Sequence, residues 1–201
     1  MKLIIKHQES YSRGQLLLRT FFGWLYIAIP HFFVLYLLQI VGSILMFISW
    51  WAILFTGKYP KSFFEFQAGV LQWTTRVMAR ILNLSDGYPP FGLNATDEHV
   101  SLEIPYPEKL SRGMLLLKSF FGFFYVLIPH GIILMFLCIG LYVVTIIAWF
   151  TILFAGKYPE GMHSFVVGIY RWGLRVSIYF IMTDTYPPFS LKEDEEPVAV
   201  V

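Results

Sequence analysis

The stretch Trp51 to Val77, WAILFTGKYPKSFFEFQAGVLQWTTRV, returns nearly letter for letter as Phe150 to Val176, FTILFAGKYPEGMHSFVVGIYRWGLRV. A fixed offset of 99 residues carries the duplication along the chain. Ser12-Arg13-Gly14 matches Ser111-Arg112-Gly113, Pro30-His31 matches Pro129-His130, and Gly57-Lys58-Tyr59-Pro60 matches Gly156-Lys157-Tyr158-Pro159. After a single-residue gap, Tyr88-Pro89-Pro90-Phe91 matches Tyr186-Pro187-Pro188-Phe189. Repetition on this scale dictates architecture, because each copy must satisfy the same pattern of apolar and polar positions. The organisation is a first repeat over 11–93, a polar linker over 94–109, a second repeat over 110–191 and an acidic tail over 192–201.

Within each repeat the apolar content decides the solvent. Hydrophobic residues make up 57% and charged residues 14% of the chain, against about 45–50% and about 25% in soluble domains, so an integral membrane protein is the expectation. A net charge of +2 with no dense basic tract argues against nucleic acid. The single cysteine, Cys138, sits in an apolar run and reads as a small hydrophobe. Leu16 to Thr56 is apolar for 41 residues with few interruptions, about 60 Å of helix, twice the hydrocarbon thickness. Pro30 is the expected break, since proline removes a helical hydrogen bond. The predicted result is a helix near the interface over Leu16 to Ile29, with Ser12 as its cap, and a span over His31 to Phe55. Leu115 to Ile128 and His130 to Phe154 repeat the split.

After each GKYP turn comes a segment with one polar stripe: Glu65, Gly69, Gln72, Arg76 and Asn83 recur every three or four residues in the first copy, and Ser164, Gly168, Arg171 and Arg175 in the second. Such a helix either crosses with its stripe turned inward or lies flat in the interface. If both cross, most basic residues gather with the N-terminus, linker and tail, which the positive-inside rule favours. The expected fold is therefore an all-α, multi-pass membrane protein of two parallel repeats. Each repeat is a helical hairpin with an interfacial lead-in helix, giving four spans with both termini cytoplasmic. Two spans plus two interfacial helices is the alternative.

The combination IPH, AWFTILFAGKYPEG, FVVGIYRWGLRV and DTYPPFSL resembles the bacterial membrane family known as domain of unknown function 4389, once in each half. The second half follows the pattern more closely, since the first has Gln72 in place of Arg171 and Gly92 in place of Ser190. The resemblance implies a bacterial inner-membrane location and brings no activity with it.

Candidate chemistry is sparse. His31 and His130 occupy equivalent positions after proline, and a histidine pair suits haem or metal ligation or a proton relay; the plainer reading is a histidine bonded to its neighbours. Arg76 and Arg80, like Arg171 and Arg175, are four residues apart and share a helical face, where two guanidinium groups suit a lipid phosphate or another anion. GKYP reads as a turn, its tyrosine an interfacial anchor, and YPPF as a stiff exit from the membrane. No catalytic set or metal-ligand spacing assembles from the sequence, so no enzyme is expected, and whether any cofactor binds stays open. The expected partners are membrane lipids, other membrane proteins or a second copy. The expected role is a non-enzymatic accessory or scaffold subunit, with a small transporter or channel for an anion or lipid, or a bis-histidine haem or quinone subunit, as alternatives.

Overall fold

The computed structural model describes residues 1–193, so most of the acidic tail lies outside the described residues. Each repeat contributes one very long helix. In the first, α1 (Arg13–Gly23) passes through a five-residue π-helical segment, Trp24–Ala28, into α2 (Ile29–Thr56). In the second, α4 (Arg112–Gly122) passes through Phe123–Leu127 into α5 (Ile128–Ala155). The elements α3 (Lys61–Ile81) and α6 (Glu160–Ile181) follow the GKYP turns. Two short strands, β1 (Lys2–Ile5) before the first repeat and β2 (Val100–Glu103) in the linker, complete the chain.

Pro30 does not break the helix. Arg13–Thr56 and Arg112–Ala155 run unbroken for 44 residues each, and the expected division into an interfacial helix and a separate span is absent. A proline ring collides with the carbonyl four residues back and offers that carbonyl no N–H. The π turn widens the helix just ahead of Pro30 and Pro129, which relieves the collision while the axis continues.

The long helices are capped locally at both ends, and their C-terminal ends are closed further by the opposite repeat. At the N-termini, Ser12 and Ser111 act as caps, accepting from Gln15 N and Met114 N at 3.3 Å. At the C-termini, Gly57 and Gly156 take left-handed conformations, φ 72° and 67°. Arg13 then donates to Phe154 O at 2.9 Å and Arg112 to Phe55 O at 2.7 Å, so a cation from one long helix meets the negative end of the other. Backbone bonds from Tyr11 N to Gly156 O and from Leu110 N to Gly57 O, both 2.8 Å, repeat the exchange. Trp149 Nε1 on Thr20 and Trp50 Nε1 on Ser119 continue it one turn further in.

These paired contacts define a pseudo-twofold axis and three layers. α1 packs on the end of α5 and α4 on the end of α2, while α2 and α5 share no extended seam. α3 packs along α2 and α6 along α5. The two inner helices run antiparallel, with Tyr170 bonded to Thr75 and His163 to Leu84 O. The third layer is an antiparallel β1–β2 ribbon laid across α3, in which Leu3 pairs with Leu102. Those two leucines are themselves equivalent residues, 99 apart, so the axis passes between them. The chain is mostly helical, as expected, and the ribbon is the one departure from an all-α fold among the described residues. The four-span expectation also changes: among the described residues two helices, not four, are long and apolar enough to cross a membrane, because α3 and α6 carry charged and polar residues through their length; much of their surface is covered by protein instead. Tyr59 and Tyr158 of the turns are buried rather than interfacial, at 1% exposure each.

The left-handed caps set a measurable cost. Gly57→Ala or Gly156→Ala is expected to lower stability by about 1–2 kcal/mol each, because a Cβ at positive φ is strained; thermal melts in mild detergent followed by tryptophan emission would report it.

Candidate functional site

Two equivalent clusters gather most of the residues singled out by the sequence. Each forms where the YPPF tail, returning from the inner helix, meets the proline of the long helix. In the second repeat Trp172 Nε1 donates to His130 Nδ1 at 2.8 Å, Phe189 stacks on the imidazole at 3.9 Å between centroids, and Tyr186 Oη lies 3.1 Å from His130 Nε2. In the first, Trp73 Nε1 donates to His31 Nδ1 at 2.8 Å and Phe91 stacks at 3.9 Å. Both histidines are fully buried. Because each Nδ1 accepts an indole N–H, its lone pair is occupied and the ring's own hydrogen sits on Nε2. A metal or haem iron would have to displace that bond. The pseudo-twofold leaves the two histidines apart, each among residues of its own repeat.

The tyrosines of the YPPF tails carry the most informative bond. Tyr88 Oη donates to Tyr26 O at 3.1 Å, and Tyr186 Oη to Tyr125 O at 3.0 Å. Tyr26 lies four residues before Pro30 and Tyr125 four before Pro129, so each is the carbonyl that the proline leaves without its α-helical donor. The tail replaces the missing N–H with a phenol. The IPH and YPPF motifs are thus two halves of one clasp, which fastens the end of each repeat to the kink of its long helix.

The arginine stripe faces the same tails. Arg76 donates to Ala95 O at 2.7 Å and to Gly92 O, and Arg175 donates to Ser190 O at 2.8 Å and Lys192 O at 2.6 Å. Arg171 bonds Leu191 O at 2.9 Å, Leu3 O at 3.4 Å and Glu193 at 3.0 Å. Arg80 forms a buried ion pair with Asp97 at 2.8 Å, and Asp97 in turn caps His99 N and Val100 N at the start of β2. All four guanidinium groups are buried, and the contacts described for them are with the chain's own carbonyls and carboxylates. Gly69 and Gly168 let the tails approach: a Cβ at either would lie 2.8 or 2.9 Å from Leu93 or Leu191.

Sequence reasoning passed over a second pair of anchors. Asp86 accepts Ser12 N at 2.6 Å and Arg19 at 2.9 Å, while Asp184 accepts Ser111 N at 2.6 Å and Lys118 at 2.8 Å. Their equivalence under the repeat was the available signal. The GKYP carbonyls are likewise held, Tyr158 O by His7 at 2.6 Å and Tyr59 O by Tyr106, whose residue numbers again differ by 99. His163 packs edge-on against His7 and Tyr158 and donates from Nε2 to Leu84 O. Its burial pulls the imidazole down to about 4, with His7 adding to the effect and the Leu84 carbonyl and Glu160 opposing it.

The family described as Domain of unknown function (DUF4389) matches residues 16–92 and again residues 118–190. Each matched segment runs from within a long helix to the tail carbonyl that Arg76 or Arg175 holds. No curated protein and no solved structure matches the chain.

Two outcomes test this assembly. Tyr186→Phe is expected to cost about 1–3 kcal/mol, since it strands Tyr125 O and removes the acceptor of His130 Nε2–H, and Tyr88→Phe somewhat less, because His31 Nε2 donates no bond to Tyr88. Melting temperatures of the two variants give the comparison. For His163 the folded value lies below the unfolded one, so the protonated form favours unfolding. Stability should be full above about pH 6.5 and decline as the pH falls towards 4, by on the order of 2 kcal/mol at about pH 5. A pH series of melts should show the decline, and His163→Gln should flatten it.

Proposed function

The chain belongs to the DUF4389 family, in two tandem copies, and on that premise we propose a non-enzymatic membrane protein of the bacterial cell. It acts as an accessory or scaffold subunit that offers its apolar helices to lipid and to the helices of partner proteins. One observation carries the reading. Among the described residues, every exposed large apolar side chain lies on the two long helices apart from Ile81, Tyr88, Phe91, Tyr186 and Phe189. Only 17% and 6% of the most apolar windows of those helices are buried. A soluble protein does not leave apolar surface of that extent to water. The buried polar side chains, meanwhile, hold the chain's own carbonyls and neighbouring side chains, and that commitment favours a rigid support over a reaction centre. A transport role would call on a charge such as Arg171 standing exposed deep in a crossing helix, whereas its guanidinium is bonded to Leu191 O and Glu193.

Membranes of expressing cells should retain the protein through an alkaline carbonate wash and release it to mild detergent. Mass analysis of the detergent particle should then find bound phospholipid or a second polypeptide. Recovery in the carbonate supernatant would overturn the membrane reading, and a lipid-free monomer would overturn the scaffold reading.

A further inference from the structure

We infer that this protein lies along the membrane rather than across it. Both long helices are immersed in one leaflet, the pseudo-twofold axis stands along the bilayer normal, and the β-ribbon faces water. The inference rests on the membrane reading above and assigns its apolar surface to the acyl chains of a single leaflet.

The geometry follows from the crossed caps. Residues related by a twofold axis lie at the same height along it, so Arg13 and its equivalent Arg112 are level. Arg112 touches Phe55 O, at the far end of the helix that Arg13 begins. Arg13 and Phe55 are therefore level within the reach of a side chain, and the helix joining them is perpendicular to the axis. The same holds for Arg112 and Phe154 through Arg13. An antiparallel strand pair has its local twofold perpendicular to the ribbon, and here that twofold passes between Leu3 and Leu102. Ribbon, inner helices and long helices are thus stacked along the axis, and the bare apolar helices lie at the end opposite the ribbon.

Two costs exclude standing the long helices upright. From Leu17 to Phe55 the exposed apolar face is continuous, about 57 Å at about 1.5 Å per residue, against about 30 Å of hydrocarbon. An upright helix would also place the axis, and with it the ribbon, at the middle of the bilayer. Lys2, Ser101 and Glu103 are exposed there, and irregular or open-edged backbone facing lipid at that depth leaves polar groups without partners. Lying flat removes both costs. The long helices bury only a narrow stripe in protein, His31, Leu35, Gly42, Ser49 and Ile53 in α2, so they are immersed rather than merely resting on the surface. At the two corners where they meet, Lys58, Lys109 and Arg112 on one side and Arg13 and Lys157 on the other are exposed, level with one another and suited to anionic headgroups.

Single-cysteine variants distinguish the poses. On a Cys138→Ser background, Lys2→Cys, Lys58→Cys and Lys157→Cys are each expressed in cells, converted to spheroplasts and treated with a membrane-impermeant maleimide before and after permeabilisation. The flat pose requires all three to behave alike, all labelled or all protected in the intact spheroplast. Opposite behaviour of Lys58→Cys and Lys157→Cys would mean upright long helices and would overturn the inference. Lys58→Cys and Lys157→Cys alike but opposite to Lys2→Cys would mean two crossing hairpins and would overturn it equally. Either pattern in carbonate-resistant membranes leaves the membrane reading intact, whereas loss of the protein to the carbonate wash removes that reading itself.

Discussion

The structure depends on an acceptor without a donor. A proline inside a long apolar helix leaves a carbonyl that water would serve in a soluble protein and that nothing serves in hydrocarbon, where such a group costs several kcal/mol. Tyr26 O and Tyr125 O each lose their α-helical donor to a proline, and the phenols of Tyr88 and Tyr186 come from more than sixty residues away to meet them. To reach that place the chain must turn after α3 or α6 and run back along it, which is the course Gly69 and Gly168 leave open and Arg76 and Arg175 hold. The π turn, the tail and the arginines are answers to one vacancy.

The second organising interaction is the exchange of helix ends. An arginine in the first turn of a helix opposes that helix's own dipole, so Arg13 and Arg112 would be poor choices for an isolated segment. Each is instead placed at the carbonyl end of the other repeat's helix. The glycine cap, the backbone bond from the approaching segment and the tryptophan–hydroxyl contact all sit within a turn or two of that arginine. Local disadvantage and long-range gain occur at the same residue, and the two repeats are held by contacts that neither could make internally.

Much of this plan was legible. The offset of 99 gave the two repeats, Ser12 announced its cap, and Gly57 announced the turn. Three features were not legible, for physical reasons. Pro30 reads as a stop because sequence shows the lost N–H but not the phenol that replaces it. The stripe through Arg76 and Arg171 has the same spacing whether it meets headgroups, water or the chain's own carbonyls, and only the fold identifies the tail as its neighbour. The strands KLII and VSLE are four residues each and pair with each other from opposite ends of a repeat, beyond the reach of any local pattern.

The segments that close each long helix come from the other repeat's approach: Tyr11 and His7 serve the second GKYP turn, Leu110 and Tyr106 the first. A polypeptide carrying one such unit could complete the same closures only by trading arms with a twin, at a concentration-dependent cost in association. Joining the units in tandem turns that bimolecular step into an intramolecular one, where tethering sets a high effective concentration. A length of chain that looks like a spacer is thus what frees the assembly from its own dilution.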